Sequence, residues 1–514
     1  MNFVRKFWKE WQWWILAGII ILGLGLGLRL YRLTLLPVFV DEAIYIRWAQ
    51  VMGAEPTLRF LPLSDGKQPL FMWILMFYVR RLSDPLFAGR ILSVVSGIGT
   101  MLGIFAVSFL LFKNKLVSLI AVVLYALSPF TLFFDRLALV DSMLAAFGIW
   151  ILFFGILTAQ TLRLDVAMIT GFMLGGAFLT KSPAIFFVLL LPAVGVFVRK
   201  PRDLIKLALL LLVAYGIGCA MYNILRLGPN FNLIKSRNQD YVLPISHLWT
   251  NFKDPLIPHI KDVFLYWLPK MGPWPIMVLA AIGLAATAHK KYWKKVLILG
   301  LWFLVPIFIQ AEYAKVFTAR YVLFTLPPIY IFAALSILNR NKIYVVFSSL
   351  FIILFVAMSG IFDWYLFTNP AGANLPRGER SGYLEEWTAG DGIREVADYI
   401  KDQGPPVKDQ KIVVGTEGYF GTLPDGLEMY LNNVPGTVVI GVGLGLKEIP
   451  TSLLESKAAG NKTYLVINKS RFEEDPDKLG LRLIAVYPKA LRPPGDREYL
   501  LKGPQEALLF FELK

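Results

Sequence analysis

Two adjacent carboxylates follow the first apolar run, in Phe39-Val40-Asp41-Glu42. Beside a low-dielectric surface such neighbours raise one another's pKa, and a carboxylate with a raised pKa is a usable general base. Acids at a helix N-terminus also simply favour the helix dipole, so the pair alone carries two readings. Further on, Asp65-Gly66-Lys67-Gln68-Pro69 sets a lysine before a proline-started apolar stretch. An ammonium there can bind a phosphate or snorkel to lipid head groups. Arg136 and Asp141 fall between two apolar runs, in what reads as a short turn at the membrane surface. There Asp141 is either a helix cap or one of the ionisable groups that do work at membrane depth. Lys181 stands in Leu179-Thr180-Lys181-Ser182-Pro183, Glu312 and Lys315 follow a later run, and Arg320-Tyr321 opens the next. His247 and His259 have no cysteine near them and do not make a metal-ligand spacing. Taken together, the cations and acids sit at ends of apolar runs. Such a set would bind an anionic head group carried on a lipid, with a base beside it.

The elements that must position these residues are membrane helices. The chain is 56% hydrophobic and only 17% charged, more apolar than a soluble protein of this length needs. The runs 91–112, 116–134, 207–225, 321–339 and 343–362 contain no Asp, Glu, Lys or Arg. Each approaches the roughly 20 residues that a helix needs to cross hydrocarbon, where helices satisfy their own backbone. The pattern predicts a polytopic α-helical bundle of about eleven spans, at 12–31, 88–112, 116–134, 138–160, 165–180, 183–198, 204–226, 271–288, 295–311, 319–338 and 343–366. The stretch 69–79 is short for a span and reads as a juxtamembrane or re-entrant helix. Arg5, Lys6 and Lys9 lead into the first run without a small-residue cleavage pattern, so it reads as an uncleaved helix, with Trp8, Trp11, Trp13 and Trp14 as an interfacial belt.

Alternate loops carry Arg5-Lys6-Lys9, Lys113 and Lys115, Arg163, Arg199-Lys200-Arg202-Lys206, Lys290-Lys291-Lys294-Lys295, and Arg340 and Lys342. The positive-inside rule assigns this set and the N-terminus to the cytoplasm. The loops 32–87, 135–137, 181–182, 227–270, 312–318 and everything after 366 are then outside. The net charge of +16 has the same origin. Residues 370–514 hold 18 Lys/Arg against 21 Asp/Glu, whereas the rest holds 34 against 15. The excess flanks spans, so no nucleic-acid partner is expected. The one cysteine, Cys219, allows no internal disulfide.

Two domains are expected: 1–368, a membrane domain that includes the outer loop 32–87, and 369–514, an extracytoplasmic domain. In the latter, 411–415, 437–441, 463–468, 483–487 and 507–512 read as strands, and 391–402 and 425–432 as helices, giving an α/β or α+β fold.

The Asp41-Glu42 pair, Lys67-Gln68-Pro69-Leu70, the 136–141 turn, Leu179-Thr180-Lys181 and Arg320-Tyr321 resemble the GT-C superfamily. Within it they look like the branch of dolichyl-phosphate-mannose protein mannosyltransferases and bacterial lipid A aminoarabinose transferases. The segment Ser381-Gly382-Tyr383-Leu384-Glu385-Glu386-Trp387, followed by 392–396, resembles the start of the external domain of bacterial members. The family's lysine box usually reads Lys-Pro-Pro-Leu, and Gln68 here replaces the first proline. The resemblance implies an inverting transfer of a sugar from a polyprenyl-phosphate donor to an acceptor hydroxyl. It assigns Asp41 as base, with Glu42 and Asp141 as supporting acids. Lys67 is its first choice for the donor phosphate, then Arg320 and Lys181, with Arg136, Tyr321 and Glu312 supporting. It implies no metal and no organic cofactor. The partners would be the lipid donor, a lipid, glycan or protein acceptor, and membrane lipids. The alternative class is a transporter or flippase of lipid-linked substrates. Transporters keep their sites near the midplane in paired repeats, whereas the charges here lie at span ends and no repeat is visible.

Overall fold

The computed structural model describes residues 2–287, 291–338, 341–404 and 410–514. Lys290 and Arg340, two of the basic loop residues, lie outside the described residues. The chain folds as two compact units. The first is Met1–Tyr31, Thr57–Trp73 and Arg90–Phe367; the second is Arg32–Pro56, Ile74–Gly89 and Thr368–Lys514. The segment 32–87 therefore divides: its middle belongs to the first unit and its two ends to the second. The cause is local. Within the second unit Val40 N donates to Thr388 O and Gly390 N donates to Val38 O, and Arg47 on the Val40–Ala54 helix is ion-paired with Glu428 on the Asp425–Leu431 helix.

The first unit is helical. Trp8–Leu30, Pro85–Phe112, Val140–Thr161, Asp203–Leu227, Trp293–Tyr313 and Lys342–Thr368 are each long and apolar enough to cross a membrane. Three further runs are bent pairs: Lys115–Leu127 with Pro129–Asp135 at 62°, Leu256–Met271 with Pro275–Thr287 at 106°, and Ala319–Thr325 with Pro327–Leu338 at 57°. The described residues thus hold six spans, or nine if each bent pair is one span. The other two of the expected set are the shorter apolar helices Leu164–Thr180 and Ser182–Phe197. Each second half of a bent pair begins on a proline, which lacks an N–H to continue the preceding helix and clashes with its last turn. The apolar run survives the bend because hydrophobicity is blind to it.

Burial separates central from peripheral helices. In Val140–Thr161, 67% of the apolar window is buried, against 11% in Trp8–Leu30 and 22% in Lys342–Thr368. Those two helices leave Ile19, Ile20, Val346 and Ile353 exposed, as lipid-facing surfaces do. Gly171 allows close helix packing: a Cβ there would stand 2.8 Å from the carbonyl oxygen of Ala214.

Arg29 and Asp135 are both fully buried and form an ion pair at 2.9 Å. Arg29 also donates to the carbonyls of Gly25 and Ala126, and the Tyr125 hydroxyl donates to Asp135 Oδ2 at 3.2 Å. Gly97 makes room for the carboxylate, since a Cβ there would lie 2.4 Å from Asp135 Oδ2.

The second unit is built on a five-stranded mixed sheet with strands β1 Ile412–Thr416, β2 Thr437–Gly441, β3 Lys462–Asn468, β4 Leu481–Leu491 and β5 Gln505–Leu513, in the order β2-β1-β3-β5-β4. β1 is parallel to β2 and β3, and β5 is antiparallel to β3 and β4. All five residues of β1 are buried, as befits a central parallel strand. One core lies among Val413, Leu453, Leu465, Ile467 and Phe511. The expected helices are present as Ile393–Asp402 and Asp425–Leu431, and Thr451–Ala458 and Arg497–Lys502 join them.

Breaking a buried ion pair strands one charge and costs about 3–5 kcal/mol. Arg29→Met should therefore lower the thermal unfolding temperature sharply in detergent. Adding Asp135→Leu should recover much of the loss; equal instability of the double variant would show that packing, not the stranded charge, sets the cost.

Candidate functional site

In the first unit a chain of polar contacts joins four of the sequence boxes. The Leu164–Thr180 helix ends at Lys181, whose extended backbone turns the chain into Ser182 and Pro183. Lys181 Nζ donates to Asp141 Oδ1 at 2.6 Å, and its ammonium lies 4.3 Å from the centre of the Tyr321 ring. Asp141 sits in the first turn of the Val140–Thr161 helix, where a negative charge is favoured by the helix dipole. Arg320, beside Tyr321, has its guanidinium 5.4 Å from the same ring. Next to Lys181, Ser182 Oγ accepts from Gln68 Nε2 at 2.8 Å and is within 3.4 Å of Asn238 Oδ1. Gln68 thus does work that a proline could not: it ties the lysine box to the start of the Ser182 segment.

Lys67 occupies this box in a different electrostatic setting. Its ammonium is 3.3 Å from Asp65 Oδ2, but Arg237 also holds Asp65, so the lysine shares that carboxylate. Gly66 makes the turn possible. Its φ is +68°, and a Cβ would come within 2.7 Å of Arg237 Cβ. Nearby, the 227–270 segment closes through backbone bonds from Leu243 N to Tyr313 O and from Lys315 N to Tyr241 O. Burial pushes the Tyr241 hydroxyl above its usual range; Lys67 opposes that shift, while Asp65 and Tyr321 add to it. Glu312, 4% exposed, stands 3.3 Å from His247 Nδ1 at the end of the Trp293–Tyr313 helix. Among the described residues, no group of three or more His, Cys, Asp or Glu could hold a metal ion.

Arg136 lies in the turn between the Pro129–Asp135 and Val140–Thr161 helices and Asp141 in the first turn of the latter, and both are packed inside the protein, 1% and 3% exposed. Arg136 donates to the carbonyls of Leu28, Arg29 and Tyr31, so its guanidinium caps the end of the Asn2–Leu30 helix. Those carbonyls have no partner within the helix. The sequence reading missed Arg237, Ser182, Asn238 and Tyr241. The last three are ordinary polar residues whose role comes from tertiary placement. Arg237 carried no signal beyond its charge.

In the second unit, Asp41 and Glu42 open the Val40–Ala54 helix. Glu42 is fully buried and its Oε2 accepts the Phe39 N–H at 3.0 Å, so it caps the helix. Asp41 is partly exposed on the same turn. The structure thus separates two carboxylates that the sequence presents as a pair.

Residues 66–222, which contain Lys67, Arg136, Asp141 and Lys181, match the family described as dolichyl-phosphate-mannose-protein mannosyltransferase. No curated protein sequence matches the chain. Among solved structures, the chain is similar to ArnT from Cupriavidus metallidurans in the apo state, over 98% of both chains, with a TM-score of 0.58 and 12% identity. The undecaprenyl phosphate complex of ArnT gives 97% and 98% coverage, a TM-score of 0.57 and 14% identity. The archaeal oligosaccharyltransferase AglB from Archaeoglobus fulgidus gives 90% and 70% coverage, a TM-score of 0.50 and 12% identity. At these identities the likeness is one of fold.

The two lysines should behave differently on substitution. Lys181→Met strands the buried Asp141 carboxylate and should cost about 2 kcal/mol of stability. Lys67→Met removes half of a partly exposed, shared pair and should cost less than about 1 kcal/mol. Detergent unfolding curves check the order; a larger loss at Lys67 would contradict this account of the site.

Proposed function

We propose that this chain, which has the GT-C fold of polyprenyl-phosphate-dependent glycosyltransferases, is an inverting sugar transferase. It would move a sugar from a polyprenyl-phosphate donor to an acceptor hydroxyl at the outer face of the membrane. One observation carries the reading: Lys181, Asp141 and Arg320 gather around Tyr321 in the helical unit, and Gln68, the neighbour of Lys67, is hydrogen-bonded to Ser182, the neighbour of Lys181. Most of that cluster lies in the stretch that matches the mannosyltransferase family. ArnT, similar over nearly its whole length, is a protein solved with undecaprenyl phosphate bound. The alternation of basic loops supports a cytoplasmic N-terminus and an extracytoplasmic C-terminal unit.

The chemistry fits these residue types. Asp41 takes the proton of the acceptor hydroxyl as its oxygen attacks the anomeric carbon. The bond between that carbon and the phosphate oxygen breaks on the opposite face, which inverts the centre. Negative charge collects on the departing polyprenyl phosphate. That group leaves readily and needs fixed positive charge rather than an acid. Lys67 supplies it first, because Asp65 is already shared with Arg237 and a phosphate can displace it. Arg320 adds to the field. Lys181 serves mainly to neutralise and orient Asp141.

The test uses purified full-length protein and polyprenyl-phosphate sugars extracted from membranes, with consumption and release of polyprenyl phosphate followed by mass spectrometry. Asp41→Asn should lower the transfer rate at least about 100-fold while leaving binding of undecaprenyl phosphate intact. Lys67→Met should weaken that binding. Unchanged transfer by Asp41→Asn would remove Asp41 as base.

A further inference from the structure

The strand that leads into Asp41 is held by a strap, and the strap is held by one buried ammonium. Lys489 lies on β4 and is 3% exposed. Its Nζ donates to the carbonyls of Glu386 at 3.1 Å and Ala389 at 2.6 Å, and to Asn468 Oδ1 at 2.7 Å. An ammonium has three N–H groups, so all three are used. Asn468 is fixed in turn, because its side-chain amide donates to Glu417 Oε1 and its backbone N–H to Glu417 Oε2, each at 2.7 Å. The Glu386 carboxylate accepts from Arg492 Nε at 2.9 Å and Lys502 Nζ at 2.8 Å. The 386–390 strap is thus pinned at both carbonyls and at a side chain.

The other edge of the strap carries the strand before Asp41. Val40 N donates to Thr388 O at 3.1 Å, and Gly390 N donates to Val38 O at 2.8 Å. Phe39 and Ala389 form an antiparallel bridge, and the Phe39 ring packs on Tyr383 with centroids 4.3 Å apart. Gly390 is required for this approach, since a Cβ there would lie 2.6 Å from Val38 O. From Val38 to Asp41 only the Phe39–Val40 step intervenes, and Val40 is already the first residue of the helix.

We infer that Lys489 is a positioning residue for Asp41: its ammonium fixes the 386–390 strap, and the strap fixes the backbone from which the Asp41 helix starts. The inference rests on the reading of Asp41 as the base. A base displaced by about 1 Å loses about 100-fold in rate, so the strap's rigidity is a catalytic requirement even though Lys489 touches no reactant. Burial pushes the Lys489 ammonium down to about 8, with Asp391, Glu506, Glu417 and Glu386 facing it and opposing that shift. Those four carboxylates come from the strap and its flank, from the residue after β1 and from β5, and Arg492 and Arg471 pair with three of them in turn. When the ammonium loses its proton, one of its three donated bonds is lost. Transfer should therefore fall as pH rises through about 8.

The experiment measures kcat and KM for transfer from the extracted lipid donors, binding of undecaprenyl phosphate, and amide exchange of residues 38–43, all on the full chain. Lys489→Met should lower kcat about 10–100-fold, raise exchange at 38–43, and leave KM and undecaprenyl phosphate binding within about twofold. Lys489→Arg, charged at every working pH, should recover much of kcat and abolish the alkaline fall. If Lys489→Met does not fold, the wild-type protein decides. Joint loss of kcat and of protection at 38–43 above about pH 8 supports the inference, and a flat profile in both overturns it. Asp41→Asn separates the two claims. Should it retain transfer, the base assignment fails and the exchange data alone judge the strap. Should it be inactive while Lys489→Met keeps wild-type kcat and exchange, the positioning role alone fails.

Discussion

The buried Arg29–Asp135 pair ties the end of the first apolar helix to the end of the Pro129–Asp135 half of a bent one. Neither charge can be bare in an apolar interior, so the two ends must meet at one height. Arg136, the next residue, reinforces the joint by opposite means, giving its guanidinium to the carbonyls that the first helix leaves unpaired. At the elbow of that bent helix, between Leu127 and Pro129, the hydroxyls of Tyr330 and Ser128 meet at 2.8 Å. Two consecutive residues, one acid and one base, thereby fix a single helix end. The chain leaves this joint and reaches Asp141 within a few residues, so the first turn of the Val140–Thr161 helix inherits its position. The Lys181–Asp141 contact depends on that inheritance.

Acid–cation pairing is used in two ways in the helical unit. At Lys181–Asp141 the carboxylate is 5% exposed and the contact short, which makes a rigid, neutral element. At Asp65 two cations, Lys67 and Arg237, share one carboxylate that is 14% exposed. A phosphate ligand must compete with whatever the resting site already holds. Shared, hydrated pairs are the cheaper to exchange, because their Coulomb energy is small and their partners remain solvated after the swap. Burial of the two carboxylates therefore sets the pairs apart: Asp141 is held in one short contact, whereas Asp65 is shared between two cations.

The sequence made much of this legible, and its failures have physical causes. Strand 437–441 and the helix ending at Asp402 stand where a β-branched run and amphipathicity put them. The apolar runs mark the spans, but 116–134 and 319–338 are bent at Pro129 and Pro327, and a hydrophobic window cannot register a change of direction. The role of Arg136 was not legible because its carbonyl partners lie more than a hundred residues earlier in the chain. Arg29 drew no notice at the end of an apolar run, where a lone arginine ordinarily snorkels. The clustering of Lys67 with Lys181 rests on Gln68, the position at which the sequence departs from the family's usual proline.

Asp41 and Glu42 show why adjacency in sequence is a poor guide to shared work. Neighbouring residues on a helix project about 100° apart. When the helix opens against a packed strap, one side chain faces back toward the N-terminus and the other does not. Glu42 turns inward, is fully buried and closes the helix on Phe39 N, which satisfies a backbone donor that would otherwise be unpaired. That bond needs a carboxylate of this length three residues past the cap. Asp41, with a shorter side chain and partial exposure, is left out of the capping geometry. The helix start therefore uses one acid as its cap, and burial sets that acid apart from its partly exposed neighbour. Two adjacent acids in one setting would have repelled each other; one buried in a cap and one partly exposed do not have to share a proton.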